Sequence, residues 1–474
     1  MKPSCISSTS LGAGALAVLA LVAQAAHAEP RPLTAADARA GKALYLQECS
    51  GCHGERGDGR GPAAEHIEPK PRNFVGAPFK LRTTASRQPP TTADVLRVIE
   101  RGIPGTAMPS FRFLPEDDRR KIAAYVLQLA KVLDKPEPAA VAVDPKGLPP
   151  ATPQSIARGK ELFADAGCAS CHGPLGKGDG PTANQMKDEE GRPVAPRDFT
   201  DGRFRGGGER LDLYYRLTTG MDGTPMPAYE DVLEPQDRWA VVDYVMTLQS
   251  PPAPQPLPDD PIAAGRVVAA KYSCGGCHVL DDGKGGSVGP DLRVSGQKLN
   301  PAWVKQFLAD PRAAGKIYPW RPHRMPALGL TREEIDAMSA YLAAVGGRGE
   351  APFTKPDPTQ FPADKVDAGK LLFVVTCAQC HSLGKVVQTL PVNQQGPDLI
   401  NVGDRVDYLW AKTWITNPKK VDPKTKMTIP QLNQQQVEEV RMFVWKAALE
   451  QPASASRGGG AAGGAREDAA VAAR

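Results

Sequence analysis

Four stretches of the chain repeat apolar residues at intervals of three and four between charged ones. They are "DDRRKIAAYVLQLAKVL" (117–133), "QDRWAVVDYVMTLQ" (236–249), "TREEIDAMSAYLAAV" (331–345) and "NQQQVEEVRMFVWKAAL" (433–449). That period puts the apolar side chains on one face of an α-helix, so each stretch predicts a helix packed against a partner. A partner stands upstream of each: "GKALYLQEC" (41–49), "GKELFADAGC" (159–168), "GRVVAAKYSC" (265–274) and "GKLLFVVTC" (369–377), read as helices that start at Gly-Lys or Gly-Arg. Nowhere does apolar–polar alternation run long enough to predict a strand. The expected fold class is all-α, in four tandem repeats.

Between the repeats lie "DKPEPAAVAVDPKGLPPATP" (134–153), "SPPAPQPLPDDP" (250–261) and "APFTKPDPTQFP" (351–362). Proline fixes the backbone and resists helix and sheet, so these predict extended, stiff linkers, with the repeats as beads on a semi-rigid string. The expected domains are 29–135, 154–249, 262–349 and 363–451, joined by linkers 136–153, 250–261 and 350–362. Residues 1–28 read as a secretory signal peptide: Lys2, an uncharged apolar stretch from Leu11 to Ala26, and small residues before a cleavage point after Ala28. An uncleaved anchor is the alternative, although the stretch is shorter than the roughly 18 residues of a membrane span. No later segment is predicted to span a bilayer. The mature protein is expected to be exported, soluble and periplasmic, with a low-complexity, disordered tail over 452–474.

Every upstream helix runs into the same pattern, Cys-x-x-Cys-His: Cys49/Cys52/His53, Cys168/Cys171/His172, Cys274/Cys277/His278 and Cys377/Cys380/His381. These use eight of the nine cysteines, the ninth being Cys5 in the leader, and four of the six histidines beyond it. Export is compatible with disulfides, but a bridge inside each pair leaves the invariable histidine position unexplained, and bridges between motifs have no use for four identical copies. Zinc needs four ligands, usually two such pairs close together, and the motif starts are 119, 106 and 103 residues apart. Covalent haem attachment explains the spacing. Two thiols on one helical turn reach two vinyl groups of one haem, and the next residue turns its imidazole to the iron. Four c-type haems are therefore the expected cofactors. Aromatic residues make up only 6% of the chain, so each haem must serve as much of its core, and each domain is expected to be unstable without it.

A methionine in a polar, proline-rich loop follows each motif at a near-fixed offset. Met108 lies 55 residues after His53, Met226 54 after His172, Met325 47 after His278 and Met427 46 after His381. The offsets and contexts ("GTAMPSF", "GTPMPAY"; "RMPALGLT", "KMTIPQLN") divide the repeats into two subtypes. A thioether sulfur suits the sixth position of haem iron, whereas Met186, Met221, Met246, Met338 and Met442 lack this register. His323 competes with Met325, and His66 reads as a loop residue. A Gly-Pro step also follows each motif. The carbonyls of Pro62, Pro181, Pro290 and Pro397 are candidates to accept the second ring N–H of the proximal histidine, the alternative being simple turn prolines. The matched "KPRNF" (70–74) and "APRDF" (195–199) place Arg72 and Arg197 alike, either to pair with haem propionates or to solvate a loop.

Glycine-aromatic helix, Cys-x-x-Cys-His, Gly-Pro, methionine loop and closing helix together resemble the class I c-type cytochromes, in all four repeats. Repeats one and two, with "CHGERGDGRGP" and "CHGPLGKGDGP", resemble haem domains attached to respiratory oxidases and dehydrogenases. The resemblance implies His/Met haems and an aromatic residue of the last helix packed on the first: Tyr125, Tyr244, Tyr341 and Trp445. Repeat three has Val267 and Val268 where an aromatic is usual, and repeat four has threonine after its methionine.

Charge adds a clue to partners. Residues 29–135 carry 18 Lys and Arg against 13 Asp and Glu, net +5, whereas 151–249 carry 11 against 16, net −5. Either these neighbours dock on each other or each faces a different redox partner. Dispersed basic residues in an exported chain exclude nucleic acid as a partner. The expected function is an exported tetrahaem cytochrome passing single electrons between redox proteins or to a membrane-bound respiratory complex. Two alternatives stand: an electron-transfer subunit of a larger oxidoreductase, and, less favoured, a haem enzyme with one open iron. The chain alone is not expected to be an enzyme.

Overall fold

The computed structural model describes residues 31–143, 148–251, 253, 255–313, 323–348, 351–389, 396–422 and 425–450. The expected signal peptide and the tail lie outside them. Twelve principal helices build four units. The first contains α1 (Ala35–Glu48), α2 (Thr92–Arg101) and α3 (Glu116–Leu129); the second α4 (Pro153–Asp165), α5 (Arg210–Thr219) and α6 (Pro235–Thr247). The third contains α7 (Pro261–Lys271), α8 (Pro301–Ala309) and α9 (Arg332–Val345); the fourth α10 (Ala363–Leu372), α11 (Tyr408–Thr416) and α12 (Gln434–Glu450). Among the described residues there is no strand, only isolated bridges such as Leu299–Val406.

The first and last helices of each unit cross closely, and a glycine makes the crossing possible. A Cβ on Gly41 would lie 1.9 Å from the Lys121 carbonyl oxygen, one on Gly159 1.8 Å from that of Ala240, and one on Gly369 1.9 Å from that of Glu439. On Gly265 it would meet the Tyr341 ring at 2.2 Å. The Gly-Lys and Gly-Arg steps therefore mark helix crossings and not helix starts. The true starts lie earlier, where Thr34 and Thr152 cap α1 and α4 through their side chains and Pro153 and Pro261 open α4 and α7.

One turn beyond the glycine, an aromatic pair locks three of the crossings. Tyr45 meets Tyr125 with ring centroids 5.1 Å apart, Phe163 meets Tyr244 at 5.5 Å and Phe373 meets Phe443 at 5.6 Å, all edge to face. In the fourth unit the partner is thus Phe443 and not the expected Trp445, which instead packs on Tyr408 at 5.3 Å. The third unit has buried Ala269 at this register, and Tyr341 closes over Gly265 while donating its hydroxyl to Asp281 at 2.9 Å.

The beads-on-a-string expectation fails. The units dock, and the linkers are tied down: the Val141 amide donates to the Thr83 carbonyl at 2.8 Å and the Thr354 amide to Asp407 at 2.8 Å. Between the first and second units, Arg82, fully buried, pairs with Asp222 at 2.8 Å and donates to the Thr219 carbonyl at 3.0 Å. Arg72 pairs with Glu189 at 2.7 Å, and Arg97 and Arg101 reach Asp212 at 3.4 and 3.7 Å. The opposite charges of these two repeats therefore meet within the molecule. The third and fourth units join where the Asn300 amide donates to the Arg405 carbonyl at 2.9 Å, and where buried Arg348 and Asp407 pair at 3.3 Å.

Candidate functional site

Each Cys-x-x-Cys-His motif sits on a tight turn at the end of a unit's first helix. The amides of His53, His278 and His381 donate to the carbonyls of Cys49, Cys274 and Cys377 at 2.9, 3.0 and 2.9 Å, so each histidine stands one turn after the first cysteine. All eight motif cysteines are free thiols. Burial pushes the Cys49 thiol up to about 12, and those of Cys274 and Cys377 up to about 11.

The motif cysteines differ in exposure. In the second unit Cys168 is buried, whereas Cys171 is only half-buried and accepts a weak hydrogen bond from the Thr182 hydroxyl at 3.5 Å. In the fourth unit Cys377 is half-buried, whereas Cys380 is exposed, as is Gln379 beside it. In the first and third units all four cysteines are half-buried, and they line one cavity.

The histidine rings are held by the two devices that distinguish the subtypes. In the third and fourth units, Nδ1 donates to the carbonyls of Pro290 (2.8 Å) and Pro397 (2.9 Å). The glycine before each proline makes room: a Cβ on Gly289 or Gly396 would lie 2.3 Å from the ring's Cε1. In the first and second units the proline carbonyls of Pro62 and Pro181 are not the acceptors. His53 donates to the Arg72 carbonyl at 3.0 Å and His172 to that of Arg197 at 3.1 Å. Gly61 and Gly180 instead pack on the motif backbone, where a Cβ would approach the Gly51 and Ser170 carbonyl oxygens to 2.5 and 2.4 Å. Phe74 and Phe199 stack on the two imidazoles, 4.6 and 4.4 Å between centroids.

The backbone of "PRNF" and "PRDF", and not the guanidiniums, therefore serves the histidines. The Arg72 side chain goes to Glu189, and that of Arg197 to Asp201. The two phenylalanines escaped sequence reading, although their shared position in the matched motifs was the available signal.

A carbonyl only accepts, so Nδ1 carries a proton in all four rings, and Nε2 is the nitrogen that a neutral ring offers to a metal. Burial, the largest influence, pushes His53, His172 and His381 below the ordinary histidine range and keeps them neutral, as metal ligation requires.

The methionine loops repeat as well. The amides of Met108, Met226 and Met427 donate to the hydroxyl of the threonine two residues before, Thr106, Thr224 and Thr425, at 3.1, 3.2 and 3.2 Å. His323 takes that place before Met325, and its ring lies 3.6 Å from where a Cβ on Gly51 of the first motif would stand. Met108, Met226 and Met325 pack against the cores of their units, while Met427 is half-buried.

One large apolar cavity runs through the first and third units and takes in His53, Met108, His278 and Met325. It fits a flat apolar group with polar edges. The histidines, methionines and cysteines of the first and third units line it, and so does Arg205 of the second unit, whose buried Nε has no hydrogen-bond partner. Met221, also from the second unit, lines the same cavity. Among the described residues, no group of three or more His, Cys, Asp or Glu could hold a metal ion by itself, so zinc has no cluster of ligands here.

The cytochrome c family model matches residues 38–130, 156–249 and 262–346. Similar proteins include the Cbb3-type cytochrome c oxidase subunit FixP of Azorhizobium caulinodans, 27% identical over 208 residues, which are 44% of this chain and 58% of that one. Cytochrome c55X of Paracoccus denitrificans is 37% identical over 86 residues, 18% of this chain and 67% of that one. The chain thus spans less than two thirds of the FixP subunit. Among solved structures, a chain of the Kuenenia stuttgartiensis reducing HAO-like protein complex is 38% identical with a TM-score of 0.43, covering 46% of this chain and 98% of that one. With three matched segments spanning more than half of its residues, each carrying a Cys-x-x-Cys-His motif in a helical unit, the chain belongs to the cytochrome c family.

Proposed function

We propose that the protein is an exported tetrahaem cytochrome that passes single electrons between redox partners outside the cytoplasm. When bound, each haem supplies an iron that cycles between ferric and ferrous states. Cys49/Cys52, Cys168/Cys171, Cys274/Cys277 and Cys377/Cys380 would tether the haems. His53, His172, His278 and His381, with Met108, Met226, Met325 and Met427, would ligate the irons.

The observation that carries the reading is the fourfold repeat of a histidine whose Nδ1 is tied to a backbone carbonyl. It supports a fourth haem in residues 363–450, beyond the matched segments. There His381 bonds Pro397, and Thr425 caps the Met427 amide as Thr106 and Thr224 cap theirs. No helix among the described residues is long and apolar enough to cross a membrane, so the reading needs no span within the units. A second reading, a haem subunit of a larger oxidoreductase, is favoured by the similarity to an oxidase subunit; it changes the partner and leaves the chemistry as it is.

Carbon monoxide added to the fully reduced protein tests the carrier role. Four closed coordination spheres bind none. Stoichiometric binding at one haem would instead point to an enzyme with an open iron.

A further inference from the structure

The order of the units in space differs from their order in the chain. The second unit docks on the first through buried Arg82 and Asp222, and its Met221 and Arg205 enter the first unit's cavity. The third unit docks on the fourth through Asn300 and Arg405. The junction between these two halves joins the first unit to the third, and it is made by the attachment motifs themselves.

Cys52 and Cys277 line one cavity at this junction. Ile67 packs so closely on Gly276, between Cys274 and Cys277, that a Cβ there would lie 2.4 Å from its Cγ2. The Arg324 amide donates to the Gln47 carbonyl at 3.0 Å, and Arg312 pairs at 2.8 Å with Glu48, whose side chain is 2% exposed. A buried carboxylate paired with an arginine of another unit fixes that docking, because separating them would strand a charge. The cavity that holds His53 and Met108 is continuous with the one that holds His278 and Met325.

We infer that the first and third haem sites form the central pair of the molecule, so that electrons cross it in the order second, first, third, fourth unit. The inference rests on the reading of each motif as a haem site. A thioether would tether a haem edge beside each attachment cysteine, so two motifs that line one cavity would bring two haem edges close. Electron tunnelling weakens steeply with edge separation, and a pair meeting at its attachment edges is the fastest crossing the chain can offer. The second and fourth units then stand at opposite ends of the route. The acidic second unit and the fourth are the entry and exit surfaces, while the first and third are enclosed between them.

Soret circular dichroism of the full-length holoprotein tests this, because two haems held close give a two-signed couplet that isolated haems do not. Four variants each lose one attachment pair: C49A/C52A, C168A/C171A, C274A/C277A and C377A/C380A. A pyridine haemochrome count runs beside each spectrum and reports separately whether four haems are present to begin with. A count below four in the unaltered chain overturns the tetrahaem reading, not the pairing.

With the counts in place, the couplet should lose most of its amplitude in C49A/C52A and in C274A/C277A, and keep most of it in the other two. A couplet that survives loss of the first or third haem but vanishes with the second or fourth overturns the inference. So does an unaltered chain without a couplet. A measurement on the unaltered chain guards against a variant that fails to fold. In electron paramagnetic resonance of the fully oxidised protein, the pairing predicts faster relaxation in at least two ferric signals, and four mutually unperturbed signals contradict it.

Discussion

Gly41→Ala separates two opposed effects on the first unit. Helix propensity alone favours alanine in mid-helix by about 1 kcal/mol. The crossing opposes it, because the new Cβ would stand 1.9 Å from the Lys121 carbonyl oxygen, where real contacts start at 3.0 Å. α1 and α3 must therefore part by about 1 Å at the crossing, a gap that forfeits roughly a quarter to a half of the dispersion energy of each facing contact. The Tyr45–Tyr125 pair, 5.1 Å between centroids and one turn away, sits on that seam.

Overpacking of this kind costs about 1–3 kcal/mol, and a backbone carbonyl that cannot rotate away puts the site at the upper end. The net expectation is a loss of about 2 kcal/mol, or a melting point lower by roughly 8–16 °C for a unit of this size. Gly76→Ala is the control. Its nearest neighbour would be Asn73 Nδ2 at 3.8 Å, and its effect should stay within about 0.5 kcal/mol. Thermal and urea unfolding of the holoprotein, followed by near-ultraviolet circular dichroism, compare the two. If Gly41→Ala stabilised the unit, helix propensity would have won and the crossing account would be refuted.

Three further outcomes follow from named contacts. Gly396→Ala drives a methyl to 2.3 Å from His381 Cε1 and breaks the 2.9 Å bond to Pro397, so the fourth haem should change its ligand-field spectrum while three remain as before; four unchanged spectra would contradict this. Asp222→Ala leaves Arg82 buried without its counter-charge and should weaken docking of the first two units by about 3–5 kcal/mol, read as a lower urea midpoint. Asp37 is held well below the usual carboxylate range, chiefly by its hydrogen bond from Arg31 and then by Thr34. Its folded-state value lies below its unfolded one, so its stabilisation is complete above about pH 5 and fades as the pH falls toward about 2. Asp37→Asn should flatten that part of the stability–pH curve, and an unaltered curve would remove Asp37 from the acid response.

The helical class and the repeats were legible because both rest on local signals, apolar period and motif spacing. The meaning of the Gly-Lys step was not. A glycine at a helix start and one at a helix crossing look alike until the partner helix is in place. Pro62 and Pro181 show the same limit. All four motifs precede a Gly-Pro step, but in the first two units the chain makes a further excursion to residues 70–74 and 195–199. That brings the carbonyls of Arg72 and Arg197, with Phe74 and Phe199, onto the histidines. Trp445 lost its expected place to Phe443 because the register is set four residues from the crossing at Glu439. Docking was half legible: opposite charge between the first two repeats pointed to it, but nothing local marks Cys52 and Cys277, 225 positions apart, as residues of one cavity.

The central claim is that every Cys-x-x-Cys-His motif carries a covalent haem, including the one outside the matched segments. The most direct test is the mass of the denatured, purified chain, taken with that of the C377A/C380A variant. The account predicts four haem increments on the unaltered chain and three on the variant. Three on both would show that the fourth unit holds no covalent haem, and that the chain is a trihaem protein with a helical appendage.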